Sequence, residues 1–212
     1  MKVKQLIEGE HTPEKNPDEK LISTIDPITS SVVLIQKERE GEHNIIVDTG
    51  APGMADEILK RLSEEGVSPE EVEYVINTHE HFDHCSNNNL FPNATQIINI
   101  LAWTPPKRVD VFRSLKDINI QEGITIISTP GHKDPHCSVI VKADKVYAIA
   151  GDTIQPDFYL GHYEGIEKLA SAETLMDVAD VIIPGHGKMM EKEDFDHVRK
   201  RIKDIRSSQR HL

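Results

Sequence analysis

Directly after a predicted strand, the chain contains a run of side chains that commonly bind metals. No other feature of the sequence constrains its fold and function as strongly. Residues 74–78 are rich in β-branched side chains and predict a short strand, and residues 79–84 read His-Glu-His-Phe-Asp-His. In an extended segment the two histidines of the His-x-His unit point the same way, while Asp83 and His84 follow on a turn. This geometry suits two metal ions better than one. The alternative is a polar loop that is merely rich in histidine.

Three later strand-like runs also lead into residues that bind metals. The first ends in a Gly-His pair at His132, the second in a Gly-Asp pair at Asp152, and the third in a Gly-His pair at His186. Pairs of this kind are common in loops when they occur alone. Here each follows a β-rich run, and its glycine lets the backbone approach closely. We therefore predict that these residues meet at a common centre.

Length and charge limit the domain count and the partners. The 212 residues contain no Ser-, Gly- or Pro-rich linker, which predicts one domain over residues 1–212. The net charge of −12 repels nucleic acid and anionic membranes at long range. A small-molecule substrate is therefore the expected partner, and a nucleic acid would need local recognition. The sequence leaves the oligomeric state open, a homo-oligomer included.

The N-terminal residues and the cysteines bear on location. Acidic and polar side chains interrupt the first residues before a signal-length apolar core forms, and no run approaches the length of a transmembrane helix. Cys85 and Cys137 are too few for a disulfide framework and are interpreted as reduced thiols. These features predict a cytoplasmic protein.

Strands and helices alternate along the chain, which predicts an α/β fold. The strand-like residues 31–35 and 44–47 flank a polar link that contains glycine, so a hairpin is expected. The next apolar pattern predicts a helix over residues 55–65 that stops at Gly66. Further expectations are a strand over residues 96–103, a helix over residues 166–179, and a last helix over residues 193–206 with an outward basic face.

Two polar residues near the histidine cluster are predicted to support it. Asp48 follows the second strand of the hairpin, where it would either cap a helix or face the histidines, and we favour the second interpretation. Thr78 directly precedes His79. Carboxylate and hydroxyl groups commonly bond the imidazole nitrogen that a metal does not use. Asp48 and Thr78 are therefore predicted to orient the ligand histidines.

In the order of its motifs the chain resembles the metallo-β-lactamase superfamily of hydrolases. The motifs are an early Asp, His-x-His-x-Asp-His, Gly-His, Gly-Asp and a late Gly-His, and the resemblance spans residues 48–186. It implies an α/β fold, a four-layer αβ/βα sandwich with two mixed β-sheets and outer helices. It also implies two ligand sets and a bridge: His79, His81 and His132 for one ion, Asp83, His84 and His186 for the other, and Asp152 between them.

The resemblance implies a dinuclear centre that activates water. Three neutral imidazoles leave an open position on a tetrahedral zinc, which is typical of a catalytic site. Zinc is the first expectation, and iron and manganese accept the same ligands. Two divalent ions lower the pKa of a bridging water toward about 7, giving a hydroxide that attacks an ester, thioester, lactone or phosphodiester. Asp83 is the predicted catalytic residue, which orients the hydroxide and passes its proton to the leaving group.

Several specialised branches of the superfamily differ from this chain. Too few residues follow His186 for the helical domain of glyoxalase II, and too few separate Asp152 from His186 for the inserted domain of the nucleases. Common class B β-lactamases have cysteine where Asp152 stands. Small motifs at residues 89–92 and 179–187 give a closer likeness to the subgroup of metallo-β-lactamase domain-containing protein 1.

Two other functions remain open at the level of sequence. Persulfide dioxygenases of the same superfamily use one iron, held by the equivalents of His79, His132 and Asp152. A small metal-dependent nuclease or phosphodiesterase is the second alternative, and the net charge of −12 counts against it. A non-catalytic binding module is poorly supported because no metal ligand is missing.

Side chains on the loops that should rim the metals are candidates for substrate binding: Met54, Phe82, Trp103, Tyr159, His162 and Tyr163. Simple packing is the alternative for each of them. His136 and Cys137 are interpreted as a hydrogen-bonded loop histidine and a small buried thiol, and Cys85 as an inert thiol. The histidines without a partner motif are expected on the surface: His11, His43, His197 and His211.

Overall fold

Two β-sheets packed face to face form the centre of the protein. The computed structural model describes residues 1–11, 28–113, 117–158 and 164–209. With strands numbered in chain order, the first sheet has the spatial order β1 (Lys2–Ile7), β4 (Val32–Gln36), β5 (Asn44–Val47), β6 (Val72–Asn77), β7 (Thr95–Ile98), β8 (Leu101–Thr104) and β9 (Arg108–Val111). The second has the order β10 (Ile118–Gln121), β11 (Ile124–Ser128), β12 (Cys137–Lys142), β13 (Val146–Gly151), β14 (Val181–Pro184) and β15 (Met190–Glu191).

Both sheets mix parallel and antiparallel pairs. In the first sheet β6 pairs in parallel with both β5 and β7, and the other neighbours are antiparallel. In the second, β13 and β14 pair in parallel between antiparallel neighbours. Parallel neighbours bring their carboxyl ends to the same edge of a sheet. A small third sheet joins β2 (Glu10–His11) to β3 (Ile28–Thr29).

The main hydrophobic core lies between the two sheets. Ile45 and Ile76 of the first sheet belong to the same fully buried cluster as Ile126 and Val139 of the second. Each of these strands points alternate side chains into this layer, as the two-residue period of a strand requires. The apolar face between the sheets therefore holds the sandwich together.

Helices cover the outer faces of both sheets: α1 (Ala55–Glu64), α3 (Glu167–Val178) and α4 (Lys192–Gln209), with a short α2 (Phe82–Cys85) near one edge. Ile58 and Leu62 of α1 lie one turn apart and are buried in the cluster outside the first sheet. Leu169 of α3 and Val198 of α4 are buried in the cluster outside the second sheet. The predicted four-layer αβ/βα sandwich is thus confirmed.

The strand predicted over residues 96–103 is wrong, because the chain turns back within it. Gln96 of β7 lies opposite Trp103 of β8, so the two ends of the predicted strand pair with each other. Asn99 occupies the turn with a φ of 52°, a left-handed conformation that asparagine adopts more readily than most residues. Among the described residues, six strands are present that the sequence pattern did not predict: β1, β2, β3, β9, β10 and β15.

The basic residues of α4 are partly engaged with α3. Arg199 lies 2.8 Å from Asp177, and Arg206 contacts Glu173 at 2.7 Å. The side chains of Arg199 and Arg206 are 41% and 42% exposed, so the basic face is outward as predicted and part of it pairs with acidic residues of α3. Among the described residues, no helix is long and apolar enough to cross a lipid bilayer.

Replacing Ile126 with alanine tests the core between the sheets. Ile126 is fully buried there, so the substitution should lower the free energy of unfolding by about 2–5 kcal/mol. Val111→Ala on β9 is the control, because Val111 is 64% exposed and its truncation should change stability by at most about 0.5 kcal/mol. Urea unfolding measures the free energy of unfolding of both variants. Equal losses in the two variants would contradict a core at this position.

Candidate metal centre

Polar residues that follow five strands meet at one edge of the sandwich. Asp48 follows β5, His79 comes shortly after β6, and His132 lies beyond β11. Asp152 directly follows β13, and His186 lies just beyond β14. The sheets thus bring together residues that are more than a hundred positions apart in the sequence.

The first group of candidate ligands contains His79, His81, His132 and Asp152. Each offers a ligand atom within 4.8 Å of the others. His132 Nε2 lies 3.2 Å from His81 Nδ1 and 3.2 Å from Asp152 Oδ2. His79 Nε2 lies 3.9 Å from the same Asp152 oxygen. Three imidazoles and one carboxylate oxygen therefore surround a common point.

The second group contains Asp83, His84 and His186, again with ligand atoms within 4.8 Å of one another. Asp83 Oδ2 lies 3.5 Å from His84 Nε2 and 3.3 Å from His186 Nε2. Asp152 Oδ1 lies 3.3 Å and 3.4 Å from these same two nitrogens. The two oxygens of Asp152 therefore face different groups.

The two groups have the spacing and the chemistry that a divalent ion requires. With metal–nitrogen distances near 2.0–2.1 Å, adjacent ligand atoms of a tetrahedral zinc lie about 3.3 Å apart. Most of the contacts above fall near this value. Among the described residues, His79 Nε2, His84 Nε2 and Asp152 Oδ1 are buried polar atoms without a hydrogen-bond partner. Such atoms are costly unless something binds them, so the donor set fits two metal ions.

A hydrogen-bonded relay through Thr78 orients one histidine of each group. Asp48 Oδ2 accepts hydrogen bonds from Thr78 Oγ1 at 2.9 Å and from His84 Nδ1 at 2.8 Å. Since the single hydroxyl proton of Thr78 goes to Asp48, Thr78 Oγ1 accepts from His79 Nδ1 at 3.1 Å. Both imidazoles therefore direct Nε2 toward the centre. These contacts support the orienting role expected of Asp48 and Thr78, which stays a prediction.

Asp48 also has a strained backbone that brings its carboxylate into the relay. Its φ is 55°, in the left-handed region that costs energy for a side chain other than glycine. Its Oδ1 accepts from the backbone nitrogen of Thr78 at 2.8 Å, and its own nitrogen donates to the carbonyl of Ile76 at 2.9 Å. Hydrogen bonds on both sides of the residue hold it in this conformation.

His186 is oriented by the small third sheet. Its Nδ1 lies 3.0 Å from the carbonyl of Thr29 and 3.2 Å from that of Glu10, which face each other across β2 and β3. Since a carbonyl only accepts, Nδ1 carries the proton and Nε2 faces Asp83 and Asp152. The N-terminal residues thereby support a histidine near the other end of the chain.

The charges of the site shift its pKa values strongly in the absence of metal. Burial opposes protonation of His84 and His186, but the neighbouring carboxylates outweigh it and raise the pKa of His186 to about 9 and that of His84 well above its usual value. The same imidazoles hold the pKa of Asp152 far below its usual value despite burial. Burial lowers the pKa of His79. Without metal, His84 and His186 of the second group thus bind protons more tightly than His79 of the first group.

Two glycines allow the ligands to approach so closely. A Cβ on Gly185 would lie 2.3 Å from Asp152 Oδ1, and one on Gly151 would lie 2.5 Å from Thr78 Oγ1. Gly151 also has a φ of 52°. The Gly-Asp and late Gly-His pairs therefore follow from steric demand, since a side chain at either glycine would push into the centre.

Three residues beside the centre were not among the predicted site residues. His136 is fully buried and its Nε2 accepts from the backbone nitrogen of Asp152 at 3.3 Å. Glu164 Oε1 lies 2.7 Å from His132 Nδ1 and 2.5 Å from Lys168 Nζ. Glu164 precedes α3 and Lys168 lies in its first turn, and in the sequence a Glu and a Lys at this spacing are typical of a solvated pair, so only the fold reveals this one.

The described histidines among those expected on the surface lie in different environments. The prediction for His11 is wrong, because its half-buried ring lies 5.3 Å from that of His186. His43 bonds Glu73 at 2.9 Å, and His197 is exposed. His211 lies outside the described residues.

The three candidates for substrate binding that the structure describes are not gathered in one place. Phe82 opens α2 between two candidate ligands and is 82% exposed. Trp103 lies within β8 rather than on a loop, and it lines a pocket with Cys85 and Gln96. Met54 packs against the apolar cluster under α1. The remaining three lie outside the described residues: Tyr159, His162 and Tyr163.

Known proteins are similar to this chain in sequence and in fold. The family model of the metallo-β-lactamase superfamily matches residues 25–186. Metallo-β-lactamase domain-containing protein 1 of Xenopus laevis is 34% identical over 170 residues, covering 74% of this chain and 70% of that protein. A Methanocaldococcus jannaschii protein named as a metallo-hydrolase is 41% identical over 108 residues, and the match spans 51% of this chain and half of that protein.

The solved structures agree on the fold. A metallo-β-lactamase family protein from Thermus thermophilus superposes with a TM-score of 0.60 at 17% identity, covering 87% of this chain and 75% of that one. The chain belongs to the metallo-β-lactamase superfamily. Fold, family and relatives together make it a metal-dependent hydrolase, and the likeness to metallo-β-lactamase domain-containing protein 1 expected from its small motifs is confirmed.

Replacing Thr78 with valine tests the relay. Loss of the hydroxyl leaves His79 Nδ1 without an acceptor, so the metal-free protein should lose about 1–3 kcal/mol of stability. Zinc affinity should fall about 10–100-fold, measured by competition with a chelating dye. Thr125→Val is the matched control, because its hydroxyl bonds only Asn119 in the part of the chain that the structure describes. Equal zinc affinities in both variants would show that the relay does not orient the ligands.

Proposed function

We propose that the chain is a dinuclear metal-dependent hydrolase that cleaves a small ester, thioester, lactone or phosphodiester. The observation that carries this proposal is the position of Asp152, whose Oδ2 faces the first group of ligands and whose Oδ1 faces the second. A carboxylate with one oxygen in each group is suited to bridge two ions. This arrangement supports two metals over the single-iron dioxygenase, which needs only the first group.

Zinc is the metal that the donor set supports first, with iron and manganese as alternatives. Two divalent ions, when bound, would polarise the scissile bond and supply a hydroxide nucleophile near neutral pH. One ion would be held by the three imidazoles and one carboxylate of the first group. The other would be held by two imidazoles and two carboxylates, those of the second group together with Asp152.

Asp83 is the proposed catalytic residue. Its Oδ2 lies 3.5 Å and 3.3 Å from the imidazoles of His84 and His186, and its side chain is 13% exposed, so it faces the centre and stays in contact with solvent. The hydrogen bond from His186 and the charge of His84 outweigh burial and hold the pKa of Asp83 below its usual value. An ionised carboxylate at this position would orient the nucleophile, accept its proton and deliver that proton to the leaving group.

A cleft beside His186 supports a small substrate. Its volume is about 420 Å³, within the range of about 300–1,000 Å³ that is usual for small-molecule sites. His11, Gln155 and Lys188 line it together with the acidic Glu8 and Asp157. A wall of mixed charge does not favour a polyanion, which supports a small molecule over the nuclease alternative.

Asp83→Asn tests the reaction and the role of the carboxylate together. Wild-type protein loaded with zinc, manganese or iron should hydrolyse at least one member of a panel of esters, thioesters, lactones and phosphodiesters. The variant should lose about 10²–10⁴-fold in kcat on that substrate. Asp110→Asn is the control, because Asp110 pairs with Arg108 on the exposed edge strand β9. A fully loaded wild type without activity on the panel would refute the hydrolase.

Metal removal should lower thermal stability in a pH-dependent way. At a fixed zinc concentration near 100 times the Kd at pH 8.5, the bound ions should raise Tm at that pH by roughly 5–10 °C over the chelated protein. The pKa of His186 is raised to about 9 and that of His84 is also raised, so below pH 9 the ions must displace protons. The zinc-induced shift should therefore be larger at pH 8.5 than at pH 6.5. Scanning calorimetry measures it, and a shift that grows toward low pH would contradict this assignment.

Four further expectations from the sequence stay predictions. They are the single domain over residues 1–212, the cytoplasmic location, the small-molecule partner and the option of a homo-oligomer.

A further inference from the structure

A buried ion pair beneath His132 has no role in the reaction proposed above. Lys168 lies in the first turn of α3 and is 1% exposed, and its Nζ lies 2.5 Å from Glu164 Oε1. The ring of Phe158 lies 5.7 Å from the same ammonium. Burying two charges carries a desolvation cost that exposed pairs do not have. A pair at this depth, beside a candidate metal ligand, therefore calls for a specific role.

Glu164 fixes the protonation pattern of His132. Its Oε1 lies 2.7 Å from His132 Nδ1, and a carboxylate paired with an ammonium only accepts hydrogen bonds. The proton of the neutral imidazole therefore sits on Nδ1, and Nε2 keeps its lone pair. That nitrogen lies 3.2 Å from Asp152 Oδ2 and faces the first group of ligands.

The loop that carries His132 is also docked on the start of α3. The backbone nitrogen of Gly165 donates to the carbonyl of Gly131 at 2.6 Å, and Ser171 Oγ donates to that of Pro130 at 2.8 Å. Gly131 has a φ of 126°, and a Cβ there would lie 2.0 Å from the backbone nitrogen of Lys168. Residues 164–171 thus hold both the backbone of this loop and the side chain of His132.

The other oriented imidazoles have different supports. His79 and His84 share the Asp48–Thr78 relay, and His186 donates to backbone carbonyls of the small third sheet. Neither support involves α3. Glu164 bonds His132 and is itself bonded by Lys168, so this pair acts on the first group through His132.

We propose that Glu164 and Lys168 are positioning residues for the first metal position. Glu164 holds the ring and tautomer of His132, and Lys168 holds Glu164 in place and balances its charge. The inference rests on the proposed function, in which His132 is a ligand of the first ion. Carboxylates that support a ligand histidine typically contribute about 10–100-fold to metal affinity. Loss of either residue should weaken one ion and leave the other nearly unchanged.

Cobalt titration of the chelator-stripped chain tests this asymmetry. Visible absorption follows two successive binding steps in wild type, Lys168→Met and Glu164→Gln. One step should weaken about 10–100-fold in both variants, and the other should change less than about threefold. Lys145→Met is the matched control, because Lys145 pairs with Glu191 at 2.9 Å on the surface and should leave both steps unchanged. Equal weakening of both steps, or of neither, would overturn the proposal.

The tautomer of His132 gives a second measurement that needs no variant to fold. Long-range ¹H–¹⁵N NMR of the zinc-loaded wild type should show His132 protonated at Nδ1, and an unprotonated Nδ1 would overturn the proposal. Wild type that binds two cobalt ions but hydrolyses nothing would refute the proposed reaction and leave the positioning pair standing. Wild type that binds no cobalt would refute both.

Discussion

The buried carboxylate of Asp152 is the interaction on which the site depends. It lies between two sets of imidazoles, with each oxygen about 3.2–3.4 Å from a nitrogen of a different set. A lone carboxylate at this depth would be very costly. The surrounding imidazoles hold its pKa far below the usual value, so it stays ionised and offers a bridge of negative charge. The two sheets, the glycines and the loops together bring charge and ligands to this point.

The supports of the site come from distant parts of the chain. Asp48 and Thr78 orient one histidine in each group, and the small third sheet orients His186. His132 depends on residues at the start of α3. Because each support belongs to a different element, the metal positions need not respond alike when one element is disturbed. Such a division would let affinity at each position be set separately.

The types of the candidate ligands and their positions at strand ends could be predicted from the sequence. A single histidine or aspartate beside glycine is common in loops, but several of them after successive β-rich runs indicated one centre, and the order of motifs indicated the superfamily. The structure places all seven candidate ligands in two groups, with Asp152 facing both. The αβ/βα layers followed from the same resemblance.

What the sequence did not predict depends on contacts between distant residues. The turn at Asn99 splits a strand-like run, which local propensity alone does not reveal. His11 lies beside His186 because two-residue strands pair across the chain. Glu164 and Lys168 have the spacing of an ordinary surface pair, and their burial appears only when the His132 loop docks on α3.

The proposed function requires that this edge of the sandwich binds two metal ions. Anomalous diffraction at the zinc edge, from crystals of the zinc-loaded chain, tests it most directly. Two peaks are predicted: one about 2.0–2.2 Å from ligand atoms of His79, His81 and His132, and one at a similar distance from Asp83, His84 and His186. A single peak, or a metal held elsewhere on the chain, would contradict the claim.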